Sequence, residues 1–136
     1  MQNIRNDGKL VAIVWRDSDW KPGLNFPTPD EMFIQAGCWG YDQGKKLAAH
    51  RHRHYERTVT QTQEVVYIKA GRMKVSLYDD GSNLIEEVEL ETGDMMVIGD
   101  CGHGYEILAD GTQVLETKNG PFIDVETDKE LIEAQR

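Results

Sequence analysis

The 136-residue chain predicts an all-β fold, a small barrel or sandwich built from short antiparallel strands. Three observations carry that expectation. Apolar and polar residues alternate over short runs, as in Arg72–Tyr78, where Met73, Val75 and Leu77 share a face. Turn chemistry separates the runs at intervals of roughly 8–12 residues. Helical propensity is confined to the tail, Asp128–Gln135.

The elements follow in order. Leu10–Trp15 is apolar and β-branched. Met32–Trp39 follows the Pro-rich turn Phe26-Pro27-Thr28-Pro29-Asp30, and Lys46–His54 carries three histidines. Glu64–Lys69, Arg72–Tyr78 and Leu84–Leu90 come next, then the buried-looking run Met95–Ile98. Tyr105–Leu108 and Gln113–Thr117 complete the series. Gly71, Asp79–Asn83, Thr92-Gly93-Asp94, Gly99–Gly102 and Asp110-Gly111 supply the turns. No internal repeat, βαβ unit or phosphate-binding glycine loop interrupts the pattern, so residues 1–136 read as one domain.

Composition narrows the function. Fifteen Lys+Arg against 24 Asp+Glu give a formal charge of -9. Tracking a phosphate backbone needs clustered positive charge, so nucleic acid is excluded as an expected partner. No run of about 18 apolar residues suggests a membrane span. The segment Met1–Arg5 has no apolar signal stretch, and two cysteines, Cys38 and Cys101, are too few for a disulfide framework. A cytoplasmic protein with reduced thiols is expected. Leu10–Trp15 is apolar on both of its alternating faces and needs two covers, which predicts a homodimer.

The chemistry concentrates in four histidines. His50, His52 and His54 alternate with Arg51 and Arg53, so an extended chain projects all three imidazoles to one side. With a rise of roughly 3.3 Å per residue, His50 and His54 stand about 13 Å apart. Metal–nitrogen bonds are only about 2.0–2.1 Å for zinc. One ion can therefore use His50 with His52, or His52 with His54, and the third imidazole is free for substrate binding or proton transfer. His103 lies downstream between Gly102 and Gly104.

These residues resemble the cupin superfamily of jelly-roll β-barrels. Its first motif runs Gly, five residues, His-x-His, then Glu, six residues, Gly. Gly44 with five residues leads to His50-Arg51-His52, and Glu64 with six residues leads to Gly71. The second motif begins at Gly93-Asp94 and reaches His103. The two motifs cover about residues 44–71 and 93–107. Departures are visible: eleven residues separate His52 from Glu64, Gly99 replaces a proline, and Ile107 stands where the family has asparagine. The ending Lys118–Phe122 with Asp128-Lys129 also resembles small bacterial cupins linked to surface-polysaccharide and sugar metabolism.

The resemblance implies a cupin-type jelly roll with at most a short C-terminal helix. It implies one divalent transition ion (zinc, iron, manganese, nickel or copper) on His50, His52, Glu64 and His103. His54 and Glu106 are then candidates for moving protons. Arg57, on the atypical segment Tyr55–Gln63, is the candidate for holding an anionic small-molecule ligand. The expected activity is that of a mononuclear metal enzyme on a small polar molecule, a sugar derivative or an organic acid. A non-catalytic metal- or sugar-binding module and a metal-free nucleotide-sugar isomerase or epimerase are the alternatives.

Overall fold

The computed structural model describes residues 1–133, and they are mostly β. Ten strands form: β1 (Gln2–Asn6), β2 (Lys9–Trp15), β3 (Gly23–Asn25), β4 (Cys38–Gly40), β5 (Glu64–Ala70), β6 (Arg72–Tyr78), β7 (Leu84–Glu91), β8 (Met95–Ile98), β9 (Gly102–Ile107) and β10 (Gln113–Lys118). Among the described residues a 3-10 turn (Asp17–Asp19) lies between β2 and β3, and one turn of α-helix, α1 (Val125–Asp128), follows β10. All strand pairing is antiparallel. A five-stranded sheet has the order β1-β2-β8-β5-β10, a three-stranded sheet the order β7-β6-β9, and β3 pairs with β4 as a hairpin.

The two larger sheets share one apolar core. Ala12, Val14, Val66, Ile68, Met96 and Ile98 come from the first, and Met73, Val75, Leu77, Val88 and Leu90 from the second. Period two places Val66 and Ile68 on the same inner face as Glu64, so the pattern that builds the core also carries a carboxylate to its rim. Val11 lies at a register irregularity opposite Ile4 and Arg5 and packs with the same core.

The outer face of the five-stranded sheet is also covered. Ile13, Trp15, Met95 and Val97 pack against Ala36 and Cys38, with Met32, Ile34, Val65 and Tyr67 half-buried around them. Residues 32–37 thus form no strand and serve as a lid on β2 and β8. Buried Gln63 fixes that lid, its Oε1 accepting the backbone N–H groups of Phe33 at 2.8 Å and Ile34 at 3.2 Å. The second cover that β2 requires is therefore part of the same chain, and the strand gives no ground for a second subunit.

A buried carboxylate locks the turn before β8. Asp94 accepts from the Arg16 guanidinium at 2.8 Å and from the backbone N–H groups of Asp17 at 2.9 Å and Glu91 at 3.1 Å.

The expected strand Lys46–His54 does not form. Residues 41–63 carry neither strand nor helix, and residues 41–60 are exposed throughout. The His/Arg alternation offers no apolar face, so there is nothing for a sheet to bury. Two strands escaped the sequence reading, β1 and β3. The tail helix is one turn over Val125–Asp128 and ends where Asp128–Gln135 was expected to begin; residues 129–133 are not helical, and the end of the expected stretch, 134–135, lies outside the described residues. Among the described residues, no helix is long and apolar enough to cross a membrane.

Candidate functional site

A cleft of about 1040 Å³ opens where β9 and β10, edge strands of the two sheets, stand across from one another. Glu64 begins β5 at its floor. The register pairs Glu64 with Lys118 on one side and Ile98 on the other, and pairs Leu77 with His103 and Val75 with Tyr105. Leu77 and Val75 are core residues, so His103 and Tyr105 share their inward direction and meet Glu64 from the opposite sheet.

Glu64 is buried, at 4% exposure. His103 Nε2 donates to its Oε1 at 2.9 Å, and the Tyr105 hydroxyl donates to the same oxygen. Lys118 Nζ lies 3.4 Å from Oε2 and 3.0 Å from the Glu116 carboxylate. Burial opposes ionisation of Glu64. The hydrogen bonds from His103 and Tyr105, with the charges beside them, outweigh it and hold the carboxyl at about 2. Tyr105 is driven far above the ordinary phenol range, by burial first and then by its bond to Glu64. The phenol is thus a neutral donor at physiological pH.

An ionised carboxylate only accepts, so the shared proton belongs to His103 Nε2. The imidazole's other nitrogen, Nδ1, is buried without a hydrogen-bond partner among the described residues. The His103 and Tyr105 rings lie 5.3 Å apart between centroids. Carboxylate, imidazole and phenol thus converge on one point, with an ammonium group alongside.

Behind this cluster Asp100 accepts hydrogen bonds from Lys9 and Gln61. Asn119 bonds Gln61 O through its side-chain N–H at 3.1 Å and accepts from Gln63 N–H at 2.7 Å, which pins the wall next to Glu64. Burial, then the Asp100 charge, pushes the Cys101 thiol up to about 12. That thiol donates to Val11 O at 3.6 Å, so it is a protonated packing group rather than a nucleophile.

Of the expected site residues, the structure brings Glu64 and His103 together. His50, His52 and His54 lie on the exposed segment and do not line the cleft. The His50 and His52 rings are neighbours, edge to face at 5.2 Å, and His50 Nδ1–H reaches Ala48 O at 3.1 Å. Among the described residues no three His, Cys, Asp or Glu side chains are grouped to hold a metal ion. Arg57 stacks on the Tyr55 ring, its guanidinium carbon 3.8 Å from the ring centroid, away from the cleft lining. Glu106 points to the face of β9 opposite His103 and pairs with Lys74 at 2.7 Å.

Tyr105 and Lys118 are not among the expected site residues. Tyr105 is two residues from His103 on a strand and so shares its face, a signal the sequence carried. Lys118 is set by the β5–β10 register, which has no local mark. No protein-family model, no curated protein and no solved structure matches the chain.

Proposed function

We propose that this chain is a small cupin-type jelly-roll enzyme acting on a small polar molecule, with Glu64 and His103 at its reaction centre and a divalent transition ion as cofactor. The observation that carries the reading is the 2.9 Å contact between His103 Nε2 and Glu64 Oε1. Two ligands on adjacent positions of one ion, each about 2.1 Å from it, stand about 3 Å apart. Glu64 and His103 come one from each sequence motif and stand on strands of different sheets, β5 and β9, in keeping with the convergence the family resemblance implies.

Two donors of such a set stand together: Glu64 is ionised, and His103 Nε2 would be a ligand once its proton has left, while His50 and His52, which would have to join them, lie on the exposed segment that enters the cleft wall at Val59. When bound, the ion supplies Lewis-acid polarisation of a substrate oxygen. The chain's own groups do the rest. Tyr105 holds the Glu64 carboxylate in place through its hydroxyl, and Lys118 keeps positive charge beside it. Gln61, Asn119 and Thr62 give the cleft wall polar groups, each tied into the fold by its own hydrogen bonds.

The unpartnered Nδ1 of His103 favours a second reading, proton transfer without a metal. A carboxylate that holds one imidazole nitrogen orients the ring and leaves the other nitrogen to exchange a proton.

The test is elemental analysis and turnover of a substrate panel, using protein purified without a histidine tag. Near-stoichiometric metal, lost in His103→Ala, with turnover abolished by a chelator supports the first reading. Turnover that survives the chelator but not His103→Ala supports the second. Metal binding with no turnover of any panel member leaves a binding module.

A further inference from the structure

One wall of the cleft belongs to neither sheet. Beyond Asn119, whose backbone N–H donates to Gln63 O at 3.3 Å, the chain runs along the cleft, and Ile123 and residues 127–132 line it. The backbone bonds in this stretch are local: Asp128 N–H to Asp124 O at 3.1 Å and Lys129 N–H to Val125 O at 3.0 Å. Among the described residues, none joins residues 120–133 to a sheet.

Side-chain contacts with the body hold the stretch in place. The Thr62 hydroxyl donates to the Asp128 carboxylate. Ile132 fills the space left by the missing side chain of Gly102, where an added Cβ would lie 2.2 Å from Ile132 Cδ1. Gly102 adjoins His103, so this contact sits at the reaction centre. Elsewhere the stretch buries little: Phe122 is 76% exposed and Leu131 95%. A segment with so few buried contacts and no ladder bonds separates from the body far more readily than the core unfolds.

We propose that residues 120–133 are a strap over the Glu64–His103 centre, which opens to admit a small molecule and closes upon it. In the observed arrangement His103 Nδ1 is buried, although 29% of the side chain is exposed. Ile132 at Gly102 is the latch and Thr62–Asp128 the side tether. The functional meaning of the strap rests on reading Glu64–His103 as the reaction centre; its motion does not.

Diethyl pyrocarbonate, which acylates accessible imidazoles, is the probe. His50, His52 and His54 are exposed and serve as references within the same chain. The full-length, chelator-dialysed protein is treated at neutral pH, and the rate at each histidine is read by peptide mass spectrometry. Gly102 does not have a left-handed backbone, so Gly102→Ala displaces only the flexible end of Ile132. The expected result is a wild-type His103 that reacts at least about tenfold more slowly than the references, and a ratio that rises roughly tenfold in Gly102→Ala and Ile132→Ala. Circular dichroism and the reference rates should stay constant. If Gly102→Ala fails to fold, Ile132→Ala and Thr62→Val decide the matter from the surface. A wild-type His103 as reactive as the references, or a ratio unmoved in the folded variants, overturns the strap. Failure of the reaction-centre reading looks different: the ratio rises as expected, yet His103→Ala alters neither metal content nor turnover.

Discussion

Tyr105 and Glu64 lie in different sheets, and the Tyr105 hydroxyl donates to the Glu64 carboxylate where the two sheets face each other. The contact joins the sandwich at its open end, where apolar packing gives way to the cleft. It also makes the ionised form of one buried carboxyl part of the fold.

Acid sensitivity follows from that ionisation. The Glu64 carboxyl is held at about 2 in the folded protein, against 4.5 for an unperturbed group. A depressed carboxyl contributes stability that is fully present above the unfolded value and is lost as pH falls through the folded one. The difference corresponds to about 3 kcal/mol, of which about 2 kcal/mol is gone by roughly pH 3. Glu64→Gln removes this dependence. Urea midpoints at pH 6 and pH 3 should therefore fall further in the wild type than in the variant. Parallel losses in both proteins would contradict the assignment.

Tyr105→Phe tests the same contact from the other side. The phenylalanine keeps the ring against His103 and deletes one donor to a buried charge. The expected cost is about 1.5–3 kcal/mol in urea unfolding at neutral pH. Tyr105→Phe in a Glu64→Gln background should cost less than in the wild type, because the charge that rewards the bond is absent. Equal costs in the two backgrounds would show that Tyr105 acts by packing alone.

Much of this fold was legible in the sequence because its strands have one apolar face. Arg72–Tyr78 and Met95–Ile98 form with the expected boundaries, and the alternation that marks Arg72–Tyr78 is the alternation the core uses. Lys46–His54 shows the limit of the argument, since period two without an apolar face names a direction and no partner. β1 has the opposite character. Its residues are polar apart from Ile4, and its signal is the turn Asp7-Gly8, where both residues have positive φ, 49° and 80°, as a two-residue hairpin demands. His103 sits between glycines that read as a turn, yet pairing with β6 makes them strand. Glu64 and His103 were each visible as chemistry. The lid at residues 32–37 and the register of Lys118 are long-range outcomes that no window of sequence displays.

The lid gives a prediction of its own. Gln63 Oε1 serves two backbone N–H groups, those of Phe33 and Ile34. Gln63→Ala leaves both without an acceptor and loosens the cover over Trp15 and Met95. A loss of about 2–3 kcal/mol is expected. Hydrogen exchange should rise first at Phe33 and Ile34, while β6 and β7 stay protected. Uniform acceleration across both sheets would mean that residues 32–37 are no separate cover.

Metal content separates the two contributions to the proposed ion site. Glu64 and His103 are already in contact, so each should be indispensable, and Glu64→Ala or His103→Ala should weaken binding of Zn(II) or Ni(II) more than about a hundredfold. This exceeds the 10–100-fold typical for losing a residue that only supports a ligand. His50 and His52 start on an exposed segment, and recruiting them costs the ordering of that segment. His50→Ala and His52→Ala should therefore weaken binding while leaving unfolding in the chelator-treated protein unchanged, because neither side chain touches the core. Glu64→Ala, in contrast, should destabilise even the metal-free protein, since it removes the acceptor for both His103 and Tyr105. Calorimetric titration with either ion, paired with urea unfolding of the chelator-treated variants, distinguishes the outcomes. Undiminished affinity in His103→Ala would place any bound metal on the exposed histidines alone and would remove the ion from the cleft.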